Sequence, residues 1–170
     1  LMEDGVFLPH FKRLPSAQTL RAKLNISDSD REVLFNGVER PREAAGENCI
    51  RQACGEDLIF RFDAPEALGS LRLRFDPDYS RMSISVNHKM RVFAMKLHTG
   101  LDFEPVKVAK TIVKEFVVYA DGKEVYRAED NYLSLVKIPL NLTAREIRVH
   151  WISTHGAETV NLFAADFIGK

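Results

Sequence analysis

The sequence predicts a mainly β domain, an antiparallel jelly-roll β-sandwich preceded by a short helical or irregular N-terminal segment. Apolar residues alternate with period two in short runs from Leu58 to the C-terminus. Turn-forming residues separate those runs, and no helix of crossover length lies between them, which argues against a parallel βαβ sheet. Nothing repeats at the roughly 20–50 residue period of solenoids and propellers.

Taken in order, the only plausible helices lie in residues 1–45. Ser16 can cap a helix through Ala17 to Leu24, with Ala17, Leu20 and Leu24 as its apolar stripe. Pro9 and Pro15 punctuate the stretch before it, and Asn36-Gly37 with Arg40-Pro41-Arg42 marks an irregular connection after it. Leu58, Phe60 and Phe62 form one strand and Leu71, Leu73 and Phe75 another, with Ala64 to Gly69 read as a turn or short loop between them. Met82, Ile84 and Val86 suggest a further strand, with a turn at Asn87-His88-Lys89 and a return strand over 91–97. Ile112 to Tyr119 and Lys123 to Arg127 flank Asp121-Gly122, a pair suited to a two-residue hairpin turn. Leu133 to Ile138, Glu146 to Ile152 and Thr159 to Phe167 complete about eight strands, with Ile147, Val149 and Trp151 facing the core and Arg148 and His150 facing out.

A chain of 170 residues is the size of one domain with an appended segment, divided here into a lead-in over 1–32 and the sandwich over 33–170. With 45% hydrophobic and 28% charged residues, the composition excludes disordered and low-complexity classes. The 24 basic and 24 acidic residues cancel, so the footprint of a nucleic-acid binder is missing. No run approaches the roughly 18 apolar residues of a spanning helix, so no membrane partner is expected. Leu1-Met2-Glu3-Asp4 lacks the pattern of a signal peptide. A start at Leu1 reads as a piece cut from something longer, which leaves the compartment unassigned.

Cys49 and Cys54 are too few for a disulfide framework and lack the partners of a zinc site, so both are expected as thiols. Asn25-Ile26-Ser27 and Asn141-Leu142-Thr143 fit the glycosylation triplet, here read as coincidence. His10, His88, His98, His150 and His155 show no HxH or HExxH spacing, which disfavours a metal site on one strand or helix. His150 reads as a surface residue and His155, in Thr154-His155-Gly156, as a strand-end turn residue. Asp76-Pro77-Asp78-Tyr79-Ser80-Arg81 is the densest polar cluster beside an aromatic. Its carboxylates could hold calcium, and Tyr79 with Arg81 could stack on and hydrogen-bond a sugar, with Asn87 and His88 nearby. The same residues also make an ordinary acidic turn. Arg61, Arg72, Arg74 and Arg148 fall on outward strand positions and read as solvated sheet surface. Nucleotide-binding glycine motifs and the hydrolase elbow are absent, and no carboxylate pair stands out for acid–base work.

The segment order carries a resemblance. Val33-Leu34-Phe35-Asn36-Gly37-Val38-Glu39-Arg40-Pro41, then Asn48, then Gly55 to Phe62, then Leu71-Arg72-Leu73-Arg74-Phe75-Asp76 resembles the discoidin or galactose-binding-like β-sandwich family. Lys114 to Gly122 and Ala144 to Trp151, with Thr154 to Glu158, are similar to its last hairpin and final strands, so about 135 residues are covered. The resemblance implies a jelly roll whose sugar-binding members hold ligands in loops at one end of the sandwich. Leu1 to Pro9 resembles the tail of the flavin-binding domain of bacterial FAD-dependent oxidoreductases that carry such a sandwich at their C-terminus. The flavin-binding glycine motif of those enzymes would lie upstream, so no FAD-contacting residue transfers to this chain.

Together these readings give a non-catalytic accessory domain at the C-terminus of an FAD-dependent oxidoreductase, shaping domain packing, substrate access or oligomer contacts. Its partner is an upstream flavin-binding domain, and FAD belongs to the parent enzyme alone. The alternative is an independent carbohydrate-binding module with Asp76, Asp78, Tyr79, Arg81, Asn87 and His88 as candidate ligand-binding residues and a structural calcium. A stand-alone β-sandwich lyase or hydrolase ranks last for want of an acid–base pair.

Overall fold

The computed structural model describes residues 12–40, 48–77 and 108–169. The expected strands at 82–86 and 91–97 lie outside the described residues. The chain runs α1 (Ala17–Arg21), β1 (Lys23–Leu24), α2 (Asp28–Phe35), β2 (Ile50–Ala53), β3 (Asp57–Phe75), β4 (Val113–Ala120), β5 (Lys123–Ala128), β6 (Leu135–Thr154) and β7 (Thr159–Ile168). Among the described residues all strand pairings are antiparallel, in the order β2-β7-β3-β6-β4-β5, with β1 on β3.

Where the sequence suggests four strands, the chain builds two long ones. Leu58–Phe62 and Leu71–Phe75 belong to β3, and the expected loop from Ala64 to Gly69 is a bend within it. Leu133–Ile138 and Glu146–Ile152 likewise merge into β6. The breaker residues deform the ladder without ending it. Phe62, Asp63, Ala64 and Pro65 lie opposite the single residue Arg145, and Gly69 lies opposite Leu140 and Asn141. Asn141 takes φ +50, a conformation Asn tolerates and a bulge can use. At Gly69 a Cβ would meet the carbonyl oxygens of Gly169 and Ile168 at 2.8 and 2.9 Å, so only glycine fits.

These bends convert one hydrogen-bonded network into two facing layers. In one, Ser70–Phe75 of β3 lies between β7 and Leu135–Pro139 of β6, with β2 on the far side of β7. In the other, Asp57–Arg61 of β3 lies between β1 and Glu146–His150 of β6, followed by β4 and β5. Edge-to-face aromatic contacts join the layers. Phe75 meets Phe116 and Trp151 at ring-centroid distances of 5.9 Å, and Phe167 meets Phe60 at 5.0 Å and Phe62 at 5.6 Å. Ile147, Val149 and Trp151 are fully buried as their period requires, and Trp151 Nε1 donates to Gln52 Oε1 at 2.7 Å. The architecture is an antiparallel β-sandwich, as the expected fold class requires.

The expected hairpin forms as β4–β5. Asp121 and Gly122 take φ +47 and +81, the twin positive angles of the turn whose twist matches its strands. Asp121 Oδ1 also accepts from the amides of Arg145 and Glu146 at 3.0 and 2.8 Å, fastening the turn to the bend of β6.

The N-terminal segment departs from expectation in three ways. Ser16 caps α1 as foreseen, accepting from Thr19 N at 3.2 Å, but the helix stops at Arg21 because Ala22 is extended and leads into β1. The face of α1 turned to the sheet carries Thr19, while Leu20 of the expected apolar stripe is exposed. Hydrogen bonding explains this choice. Thr19 Oγ1 donates to Asp166 Oδ1 at 2.6 Å and accepts from Phe167 N at 2.7 Å, and Ser16 N donates to the same carboxylate at 2.9 Å. Third, α2 occupies a stretch with no helix expected. Ser27 caps it, accepting from Asp30 N, and Asp28 and Asp30 place negative charge at its N-terminal turn.

This segment also corrects the reading of Arg72 and Arg74. Both point away from the core, as their period requires, yet they are 1% and 2% exposed. Residues 12–40 cover that face. Both terminal nitrogens of Arg72 donate to the carboxylate of Glu39, and Arg74 Nη1 donates to Ser134 Oγ at 2.9 Å. Arg61 and Arg148 stay on the open face of the other layer, so the four arginines form no common basic surface. Cys49 and Cys54 form no disulfide, and no helix among the described residues is long and apolar enough to cross a membrane.

Candidate functional site

Because β3 and β6 each run out and back, their ends gather with the starts of β4 and β7 and the ends of β2 and β5 at one end of the sandwich. Residues 54–56, 129–134 and 155–158 connect strands there, and there too β3 ends and β4 begins. The opposite end carries the two bends and the Asp121-Gly122 turn.

Asp76 lies at the connecting end. Its amide donates to Asn161 O at 3.0 Å, its Oδ2 accepts from Asn161 Nδ2 at 3.3 Å, and its carbonyl accepts from Thr111 Oγ1 at 2.7 Å. The residue therefore anchors the start of the long β3–β4 connection to β7 and to its return. Asp78, Tyr79, Arg81, Asn87 and His88 lie outside the described residues. Among the described residues no three of His, Cys, Asp or Glu stand together as a metal site.

The β5–β6 connection supplies a residue that sequence reading passed over. Tyr132 is 66% exposed and Leu133 50% exposed, on a segment held by hydrogen bonds. Asn131 N donates to Lys114 O at 2.9 Å, and its Nδ2 donates to Val113 O at 2.7 Å and Leu133 O at 3.1 Å. Its Oδ1 accepts from Leu133 N at 3.1 Å. His155 lies in the β6–β7 turn, as expected, with its Nε2 2.7 Å from Asn131 O. The result is an open aromatic ring on a fixed backbone at the connecting end. Glu129-Asp130-Asn131-Tyr132 is a polar turn beside an aromatic, the same signal that drew attention to Asp76–Arg81.

His150 is half-buried on the outer face of its layer, its Nδ1 2.6 Å from Asp57 Oδ1. Arg148 approaches the other oxygen of Asp57 at 3.5 Å and lies over the Tyr119 ring, 4.4 Å from its centroid. This cluster ties β3, β4 and β6 together across the sheet.

No family model matches the sequence, and no curated protein matches it. Solved structures do. A family 32 carbohydrate-binding module from Streptococcus pneumoniae EndoD superposes with a TM-score of 0.58 at 15% identity, over 88% of this chain and 96% of that one. The GH31 module CBM32-2 bound to GalNAc gives 0.55 at 11% identity, over 88% and 99%. The CBM32 of AlyQ, in complex with 4,5-unsaturated mannuronic acid, gives 0.52 at 11% identity, over 94% and 98%. At these identities the likeness establishes the fold alone: the chain has the same antiparallel β-sandwich fold as these modules.

Proposed function

We propose that this chain is a non-catalytic carbohydrate-binding module that takes sugar at the connecting end of the sandwich, with Tyr132 as a stacking surface. The observation that carries this reading is the exposed Tyr132 ring on a segment fixed by hydrogen bonds. A tyrosine offers an apolar face to sugar C–H groups and a hydroxyl to sugar oxygens at little conformational cost. The solved structures above support the reading in kind, since two of them hold a sugar. Tyr79, Arg81, Asn87 and His88 belong to the connection that Asp76 anchors, and are proposed as polar contacts to the same ligand.

Calorimetric titration with N-acetylgalactosamine and galactose tests this. Saturable binding is expected, weakened at least about tenfold in Tyr132→Ala, a change of about 1.4 kcal/mol, and weakened also in Tyr79→Ala and Arg81→Ala. Binding unaffected by Tyr132→Ala would remove that residue from the site. No binding of either sugar at millimolar concentration would turn attention to the accessory-domain reading. That reading has one observation in its favour, the exposure of Leu14 and Leu20 on the N-terminal segment. A native species well above 19.3 kDa with a flavin spectrum would establish it.

A further inference from the structure

We infer that His155 is a positioning residue for Tyr132, holding the aromatic ring in place from a different loop. The inference rests on the reading of Tyr132 as the ligand platform. The amide, carbonyl and both side-chain polar atoms of Asn131 are engaged. The Asn131 carbonyl is the group immediately before the Tyr132 amide, and His155 is the side chain that holds it. A carbonyl oxygen can only accept, so the 2.7 Å contact requires hydrogen on Nε2.

The histidine is itself well fixed. Its amide donates to Ile112 O at 3.0 Å, and the amide of Gly156 donates to Thr154 Oγ1 at 3.2 Å. Gly156 takes φ +137 beside the Lys110 side chain, a backbone state that suits glycine. The rigid end of β6 therefore reaches across to the β5–β6 connection through one directional bond. A ring as exposed as that of Tyr132 receives little packing to define its place, so its order depends largely on the backbone that carries it. A platform fixed before binding loses less entropy when sugar docks.

The test uses the intact chain and three substitutions, His155→Ala, His155→Gln and His155→Asn. Glutamine can present an amide N–H near the position of Nε2, whereas asparagine is too short. Amide relaxation at Tyr132 is expected to show a loss of order in the alanine and asparagine variants and near wild-type order in the glutamine variant. N-acetylgalactosamine affinity is expected to fall roughly twofold to tenfold in the first two, the scale of one hydrogen bond, and to recover with glutamine. Unchanged Tyr132 order in His155→Ala, or equal behaviour of glutamine and asparagine, would overturn the inference. The relaxation measurement needs no ligand. If Tyr132→Ala leaves sugar binding intact, the platform reading fails while the relaxation result still decides whether His155 orders Tyr132.

Discussion

Replacing Glu39 by alanine should destabilise the domain far more than a residue from an irregular connection ordinarily would. Its carboxylate accepts from both terminal nitrogens of Arg72, whose side chain is 1% exposed. Arg72 Nε has no hydrogen-bond partner among the described residues, so Glu39 carries the electrostatic compensation of that guanidinium. Removing one member of a buried pair leaves an uncompensated charge in a poorly hydrated place and costs about 3–5 kcal/mol. For a domain of this size, at about 2–4 °C per kcal/mol, the melting temperature should fall by about 6–20 °C. Trp151, the single tryptophan and fully buried, reports unfolding in urea through its emission. The double variant Glu39→Ala/Arg72→Met removes both charges and should recover most of the loss, because an apolar replacement avoids the desolvation of the pair. A loss below about 1 kcal/mol in the single variant, or a double variant as unstable as the single, would refute the argument.

Two further outcomes follow from local geometry. Gly69→Ala should cost about 1–3 kcal/mol as its methyl group forces the Ile168–Gly169 backbone away, and faster amide exchange at Phe167 and Ile168 checks it. Arg21 donates to Glu66 at 2.6 and 2.9 Å, and this hydrogen bonding holds the Glu66 carboxyl below its ordinary 4.5. A carboxylate with a lowered folded-state value stabilises the fold above the unfolded value and loses that contribution as pH falls through the folded one. Glu66→Gln should therefore make stability less steep in pH below about 4.5, with a difference that shrinks in high salt because the pair is exposed. Urea midpoints across that range, equal in slope for both proteins, would contradict this.

Period-two alternation locates the strand segments of β3 to β7, the core face of β6 and the β4–β5 turn, because a sheet with one buried face writes itself into neighbouring residues; the short β1 and β2 carry no such pattern and are not anticipated. Continuity of the long strands was not legible. Pro65, Gly69, Pro139 and Asn141 are the residues that end strands elsewhere, and only cross-strand pairing separates a bulged bend from a turn. Arg72 and Arg74 look solvated in the sequence because their own strand shows which way they point and not what covers them. Helix α2 escaped notice because its signals, a Ser27 cap and acidic first turn, support just eight residues. Of the candidate site, the sequence led to Asp76 at the connecting end. Tyr132 required knowledge of which connections meet there, a property of topology that no single segment carries.

The place of β7 has a consequence for how the chain is made. It lies between β2 and β3, so the layer they share has a gap until β7 itself is synthesised. The clasp of α1 joins Ser16 and Thr19 to Asp166, 150 and 147 residues later. Until β7 emerges, the N-terminal segment can meet β3 through β1 and Glu39 but lacks the Asp166 clasp, and β3 lacks one neighbour. Folding of the complete sandwich must therefore await the synthesis of β7, and truncation within β7 should leave a product whose unpaired β2 and β3 edges are open to proteolysis.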